Sequence, residues 1–410
     1  MKTLDFITED LCLEPRLRIA LVTETYPPEV NGVAMTLQRM VDGLIHRGHR
    51  VQLIRPRQAR SEVAHCGGDY EEMLSRGMKL PRYDGLRFGL PAKAALVRAW
   101  SRQRPDLVHV ATEGPLGWTA ISAAKKLRLP VTSDFHTNFD HYSEHYGVGW
   151  LRQPVAAYLR RFHNRTETTF VPTAEMARIL QSQGYERVEV VSRGVDTSLF
   201  SPTRRSDVLR AQWGASPDDV VLISVGRVAP EKNLPLVLRT YAAVRDACPE
   251  ARLVIVGDGP MREAVANECP EAKLCGMRIG EDLAAHYASA DLFLFPSLTE
   301  TFGNVMLEAM ASGLCAVAFD YAAAAEVARD MDNGLCASGR DEAAFIDRAV
   351  RAACDGALRR RLAERARASA EHFDWERVND QFAASLLRAW QRAHPAAGEA
   401  GADRLLGAER

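Results

Sequence analysis

Nowhere in the 410-residue chain do about 18 apolar residues run together, so the pattern excludes a membrane-spanning helix. The opening residues, MKTLDFITEDLCLEPRLRIALV, carry acids where an export signal needs a basic stretch and a long apolar one. The expectation is a cytoplasmic protein whose membrane contact, if it has any, is peripheral. An excess of one charge is lacking too: 52 Lys and Arg stand against 53 Asp and Glu, so no global field attracts nucleic acid and no such partner is expected. The eight cysteines, Cys12, Cys66, Cys248, Cys269, Cys275, Cys315, Cys336 and Cys354, contain no C-x-x-C pair and read as small core residues of a reducing compartment. G-x-G-x-x-G is absent, because VGDGP (256–260) is followed by Arg262 where the third glycine belongs. G-x-x-x-x-G-K-[ST] is absent as well, so neither a nicotinamide cofactor nor ATPase chemistry is expected.

With 47% hydrophobic and 26% charged residues the chain has an ordinary globular composition, and its length exceeds one core, so two domains are expected. Short apolar or β-branched runs at 18–23, 50–54, 106–111, 130–135, 168–172 and 188–192 alternate with amphipathic stretches such as Thr36 to His46 and Gly117 to Lys126. That alternation predicts a parallel sheet wrapped by helices. The pattern pauses over the turn-rich, charged 193–219 and restarts at 220–227, 251–259, 291–297 and 315–319. The expected division is 1–195 and 196–374, with an amphipathic helix over 375–393 packing back on the first domain. In each half ligands would sit at the carboxyl ends of the strands.

In FLFPSLTETFGNVMLEAMASG (293–313), a buried strand is followed by a turn over Glu300 to Asn304 and a helix ending at Gly313. Free N–H groups at a helix start suit a phosphate or sugar hydroxyl, and Gly303 allows close approach. Glu308, about one turn in, has the chemistry to accept two hydrogen bonds from a vicinal diol, and Glu300 to do the same for a hexose. Spacing alone equally describes a solvated loop acid and a surface helix residue. VGRVAPEKN (225–233) brackets a proline with Arg227 and Lys232, a fork and a point charge suited to a diphosphate. HYSEH (141–145) matches H-x-x-E-H and raises a zinc hydrolase on His141 and His145 as a rival of another class. His136 ends the strand before it and is better placed to face the cleft. Residues 150–165 interleave aromatic and aliphatic residues with arginines, which describes either a membrane-touching basic helix or a helix with one solvated face.

Taken together, ETYPPEVNGVAMTLQRMVDGLIHRGHRV, DFHTNFD, SRGVDTSLFSP, VGRVAPEKN, VGDGP and ETFGNVMLEAMASG, in this order, resemble the retaining nucleotide-sugar glycosyltransferases of GT-B architecture. The E-x7-E from Glu300 to Glu308 is that family's signature. Within it, NGVAMTLQ, HVATEGPLGW, DFHTNFD and SRGVD are similar to bacterial α-mannosyltransferases and to glycolipid synthases related to sulfolipid synthase.

The resemblance implies an α/β fold of two doubly wound Rossmann-like domains facing a central cleft, and a hexosyltransferase using a GDP- or UDP-sugar and a lipid or glycan acceptor. It implies that Glu308 holds the ribose diol, and that Glu300 with the backbone of Thr301, Phe302 and Gly303 holds the donor sugar. Asn304 and Val305 complete that donor-binding turn, and Arg227 and Lys232 hold the diphosphate. His136 would contact the donor sugar, Gly32 would let the first-domain loop approach the phosphates, and Met277 and Arg278 would lie beside the base. Catalysis would rest on His136, Arg227, Lys232 and Glu300, with no metal, in keeping with the lack of D-x-D in the cleft loops, and no cofactor. Arg193 stands where many relatives carry Asn, so no role is transferred to it. A sugar-nucleotide-binding protein without turnover is the second rival.

Overall fold

The computed structural model describes residues 15–29, 31–59, 61–79, 87–136, 152–300 and 302–395. Among these, eight strands form a first sheet: β1 (Arg18–Val22), β2 (Arg50–Pro56), β3 (Cys66–Gly67), β4 (Tyr70–Ser75), β7 (Leu107–Val110), β8 (Val131–Asp134), β9 (Thr168–Val171) and β10 (Val188–Val190). A separate hairpin pairs β5 (Gly77–Lys79) with β6 (Arg87–Gly89). The sheet runs β10-β9-β8-β7-β1-β2-β4-β3, parallel except for the edge pair β3/β4. Six further strands, β11 (Val221–Val225), β12 (Arg252–Val256), β13 (Lys273–Gly276), β14 (Leu292–Phe295), β15 (Cys315–Phe319) and β16 (Leu335–Ala337), form an all-parallel second sheet in the order β13-β12-β11-β14-β15-β16.

Central strands such as β1 and β14 are apolar runs because helices cover both faces and leave them no wet side. On one face of the first sheet Leu37, Met40 and Leu44 of helix α1 (Gly32–His46) pack with Ile19, Leu21 and Phe170. On the other, Ala120, Ile121 and Ala124 of helix α2 (Pro115–Lys126) pack with Val22, Val108 and Val110. Two apolar clusters flank the second sheet in the same way.

Helix α1 begins four residues before the periodicity suggests, because Asn31 caps it: its Oδ1 accepts from Ala34 N–H at 2.8 Å. The sequence reading also passed over β4, YEEMLS, whose register is held by charge rather than by an apolar run. Glu71 pairs with Arg18, and Glu72 lies 3.0 Å from Arg55, which also meets Glu62 at 2.8 Å.

The final helix, here Trp375–Ala393, lies on the first sheet. Phe382 meets His109 and Phe170 edge-on at 5.2 and 5.8 Å, and Arg47 reaches Asp380 at 2.6 Å. A Cβ on Gly43 of α1 would fall 2.2 Å from the Asn379 side chain, so this crossing depends on glycine.

Candidate active site

Strand order reverses between β11 and β14, and there the chain leaves in opposite directions. After β11 it passes through 226–233 into helix α3 (Leu234–Ala247) and on to β12, and after β14 through 296–303 into helix α4 (Asn304–Ala311) and on to β15. Divergence of the two loops opens a crevice at the carboxyl edge. Ser224, Gly226, Arg227, Lys232, Phe295 and Ser297 line it. Lys232 and Glu300, 68 residues apart in sequence, form an ion pair across this crevice. The pair is held from behind: Leu298 N–H donates to Glu231 O at 2.9 Å, and the Tyr321 hydroxyl donates to Glu300 O at 3.1 Å. Arg227 is the more exposed cation, 3.6 Å from Glu231. VGDGP fits the same edge for a packing reason, since a Cβ on Gly257 (φ +132°) would lie 1.8 Å from the Gly226 carbonyl oxygen.

Gly303 is the N-cap of α4 with φ +99°, and a Cβ there would come within 2.8 Å of the Phe295 ring. Gly303→Ala therefore meets both backbone strain, of order 1–3 kcal/mol, and a clash beneath the turn. A lower thermal midpoint is the expected result, read by calorimetry. A midpoint equal to that of the native chain would show that the turn tolerates a side chain.

Phe302 is buried, its carbonyl accepting from Ala323 N–H at 2.8 Å, and Val305 packs against the core. Asn304 reaches across to α1, its Nδ2 3.4 Å from the Thr36 hydroxyl. Thr301 lies outside the described residues. Glu308 is half-buried and accepts from the Tyr287 hydroxyl at 2.9 Å, and burial pushes its carboxyl up to about 7 against that donation. Met277 and Arg278 follow β13 at the same edge. Met277 is 61% exposed, while Arg278 is tied to Asp282 at 3.1 Å and to the Cys275 carbonyl at 3.0 Å.

The first sheet reverses its order between β7 and β1, and its carboxyl edge carries His136, Glu24 and Gly32. A Cβ on Gly32 would meet nothing within 4 Å, so the protein's own packing does not demand glycine there. His136 is buried between charges: its Nε2 is 3.0 Å from Asp134 Oδ2 and its Nδ1 3.0 Å from Arg193 Nη2. Burial and the Arg193 charge hold the imidazole below its ordinary value. Asp134 is held well below the carboxylate range by His109 and His136, against the upward push of its burial. Glu24 accepts from Leu116 N–H at the start of α2 at 3.0 Å, and burial pushes it up to about 7.

Residues 219–355 match the family model for glycosyl transferases group 1, and residues 30–199 match that for glycosyltransferase family 4. A GDP-mannose-dependent α-mannosyltransferase of Mycobacterium tuberculosis is 35% identical over 74% of this chain and 79% of its own. The chain belongs to the GT-B glycosyltransferases. A GDP-mannose-dependent α-(1-6)-phosphatidylinositol dimannoside mannosyltransferase, also from M. tuberculosis, is 30% identical over 90% of this chain and 95% of its own. For the fold, sucrose-phosphate synthase of Thermosynechococcus elongatus superimposes with a TM-score of 0.73, covering 93% of this chain and all of that one at 17% identity.

For this glycosyltransferase the structure adds to some sequence readings and corrects others. Asp134 and Glu24 were not singled out and Arg193 was given no role, because what joins them to the site is spatial: Arg193 is 57 residues from His136. His141 and His145 lie outside the described residues. The basic helix spans Arg152–His163. Leu159 and Phe162 are buried and Tyr158 stacks on Trp118 at 5.4 Å, which leaves Arg160 and Arg161 on the exposed side. The cysteines are not uniformly core residues: Cys269, Cys315 and Cys336 are buried, while Cys66 and Cys354 are exposed because they end up on an edge strand and at a helix terminus. A D-x-D does occur, Asp330-Met331-Asp332. It precedes the amino end of β16, away from the crevice, and its acids pair with Arg348 and Arg365. No described helix is long and apolar enough to cross a membrane.

Proposed function

We propose that the enzyme is a retaining, metal-independent transferase that moves a hexose from a GDP- or UDP-sugar, with GDP-mannose the first choice, to a lipid or glycan acceptor. The observation that carries this reading is the Lys232–Glu300 pair across the crevice, with Glu308 about one turn into the adjoining helix. In this reading residues 196–374 take the donor and 1–195, with the final helix, face the acceptor. Glu308 takes the ribose diol, with Met277 and Arg278 beside the base. Glu300, with Thr301 to Val305, takes the sugar, and Arg227 and Lys232 take the diphosphate. The open space over Gly32 admits the phosphates from the other side.

The reaction breaks the bond between the anomeric carbon and the diphosphate oxygen and forms one to the acceptor oxygen on the same face. The acceptor's proton passes to the departing diphosphate. Negative charge therefore grows on the diphosphate, and a fixed cation beside it stabilises the transition state more than the ground state. Cations supplied by Lys232 and Arg227, and a D-x-D held elsewhere in arginine pairs, support the metal-independent form. Likeness to relatives named for GDP-mannose and for a phosphatidylinositol mannoside supports the donor and a lipid acceptor. The exposed Arg160 and Arg161 suit anionic headgroups at a membrane surface.

The test is turnover of UDP-, GDP- and ADP-sugars with bacterial lipid extract, with and without EDTA, followed by NMR of the product's anomeric centre. The reading expects EDTA-resistant release of GDP or UDP and a new glycolipid with the donor's anomeric configuration. Release that stops in EDTA would remove metal independence, and an inverted product would remove retention.

A further inference from the structure

In the first half of the cleft a guanidinium donates to a histidine. Arg193 Nη2 lies 3.0 Å from His136 Nδ1, and an arginine has only N–H groups to offer, so Nδ1 must be the acceptor. A neutral imidazole with a lone pair on Nδ1 carries its proton on Nε2. That proton faces the carboxylate of Asp134, 3.0 Å away. The three groups thus fit together in one protonation state: guanidinium, Nε2–H imidazole, carboxylate.

We propose that Arg193 is a positioning residue that keeps His136 neutral in its Nε2–H form and occupies the one lone pair with which the ring could take a proton. This rests on the reading that His136 serves glycosyl transfer, and it deepens that reading. His136 then acts as an oriented neutral dipole, and it is not the base that deprotonates the acceptor. The acceptor proton is left to the departing diphosphate.

The surroundings fit this assignment. Asp134 is itself steadied from β7, where His109 Nε2 lies 3.5 Å from its Oδ2 while His109 Nδ1 contacts the Thr132 hydroxyl at 3.0 Å. Among the described residues, the charged or titratable groups that act on the ring are Asp134 at the end of β8, Arg193 after β10, and Glu113 after β7. Of these, only Arg193 is a cation. Its removal leaves two acids, which favour an imidazolium. Arg193 is also rigidly seated: it is buried, Val195 N–H donates to Phe373 O at 2.9 Å, and a Cβ on Gly194 would strike the Trp375 ring at 2.6 Å. The guanidinium is thus fixed where the chain passes from the first sheet towards the second.

The experiment has one arm that needs no turnover. In 15N-histidine spectra of the full chain at pH 7.5, with the His136 signals assigned by their loss in His136→Gln, the proposal expects an unprotonated Nδ1 and a protonated Nε2. Arg193→Met is expected to shift the ring towards imidazolium as pH falls, and Arg193→Lys to restore the native pattern. A native ring protonated on Nδ1 would overturn the proposal whether or not the transferase reading holds. In the second arm, the ratio of Arg193→Met to native kcat at saturating donor is expected to fall about tenfold between pH 8 and pH 6. Saturation removes the titration of Glu308 from that comparison. Nucleoside diphosphate affinity and thermal midpoint serve as folding controls. A pH-independent ratio with both controls intact would mean that Arg193 only fills space, and would also overturn the proposal.

Discussion

A Glu308→Ala enzyme is expected to bind its nucleotide donor about 10- to 100-fold more weakly, the loss of one or two hydrogen bonds to a charged group, while kcat at saturating donor changes less. The pH dependence makes this prediction sharper than a simple loss. Burial pushes the Glu308 carboxyl up to about 7, so below that pH the empty site holds a neutral acid able to offer one donor and a weaker acceptor. A diol donating two hydrogen bonds favours the carboxylate. Native affinity should therefore fall as pH drops below about 7 and level off above it. The sign for stability is opposite. A folded value above the ordinary 4.5 gives a contribution that is complete below 4.5 and lost as pH rises through about 7, so binding gains where the empty fold loses. Tyr287→Phe removes the hydroxyl that favours the charged form and should move the affinity midpoint upward. Titration calorimetry with GDP and UDP from pH 5.5 to 8.5 reads all three proteins. Unchanged affinity in Glu308→Ala would remove the ribose role.

Both acids were visible in the sequence because a strand, a glycine turn and a helix are each written in local patterns. Apolar runs mark β14, Gly303 marks a backbone conformation that other residues resist, and NVMLEAMA favours a helix. Distance from that turn placed Glu308, while the resemblance, not the spacing, favoured a ligand-holding acid over a surface helix residue. The pairing of Glu300 with Lys232 was not legible, because it depends on β14 lying beside β11 rather than beside β13. Strand order is decided by how helices pack over the whole sheet, and no local window carries it. The same applies to Arg193, which meets His136 only because β8, β9 and β10 are neighbours. Strand β4 was missed for a different reason: its glutamates are half-buried partners of Arg18 and Arg55, so it lacks the apolar signal that marks a strand.

Lys232→Ala is expected to lower kcat about 100- to 1,000-fold, the scale seen when one preorganised donor to a developing charge is removed. Donor affinity should change by less than tenfold, and the reason lies in the empty site. There Lys232 is already satisfied by Glu300, so the arriving diphosphate exchanges one anionic partner for another and gains little in the ground state. As the anomeric bond breaks, charge accumulates on the phosphate alone, and Lys232 follows it at no further reorganisation. Glu300→Gln separates the two contributions. It releases the lysine from its competitor, so GDP or UDP without a sugar should bind as tightly as to the native enzyme or more tightly. Turnover should nevertheless fall, because the proposed role of the carboxylate is to orient the hexose. Steady-state kinetics of both variants, with binding of the diphosphate alone, decides between the readings. A Lys232→Ala enzyme whose KM rises while kcat stays native would make Lys232 a uniform binder, and the ion pair a structural brace.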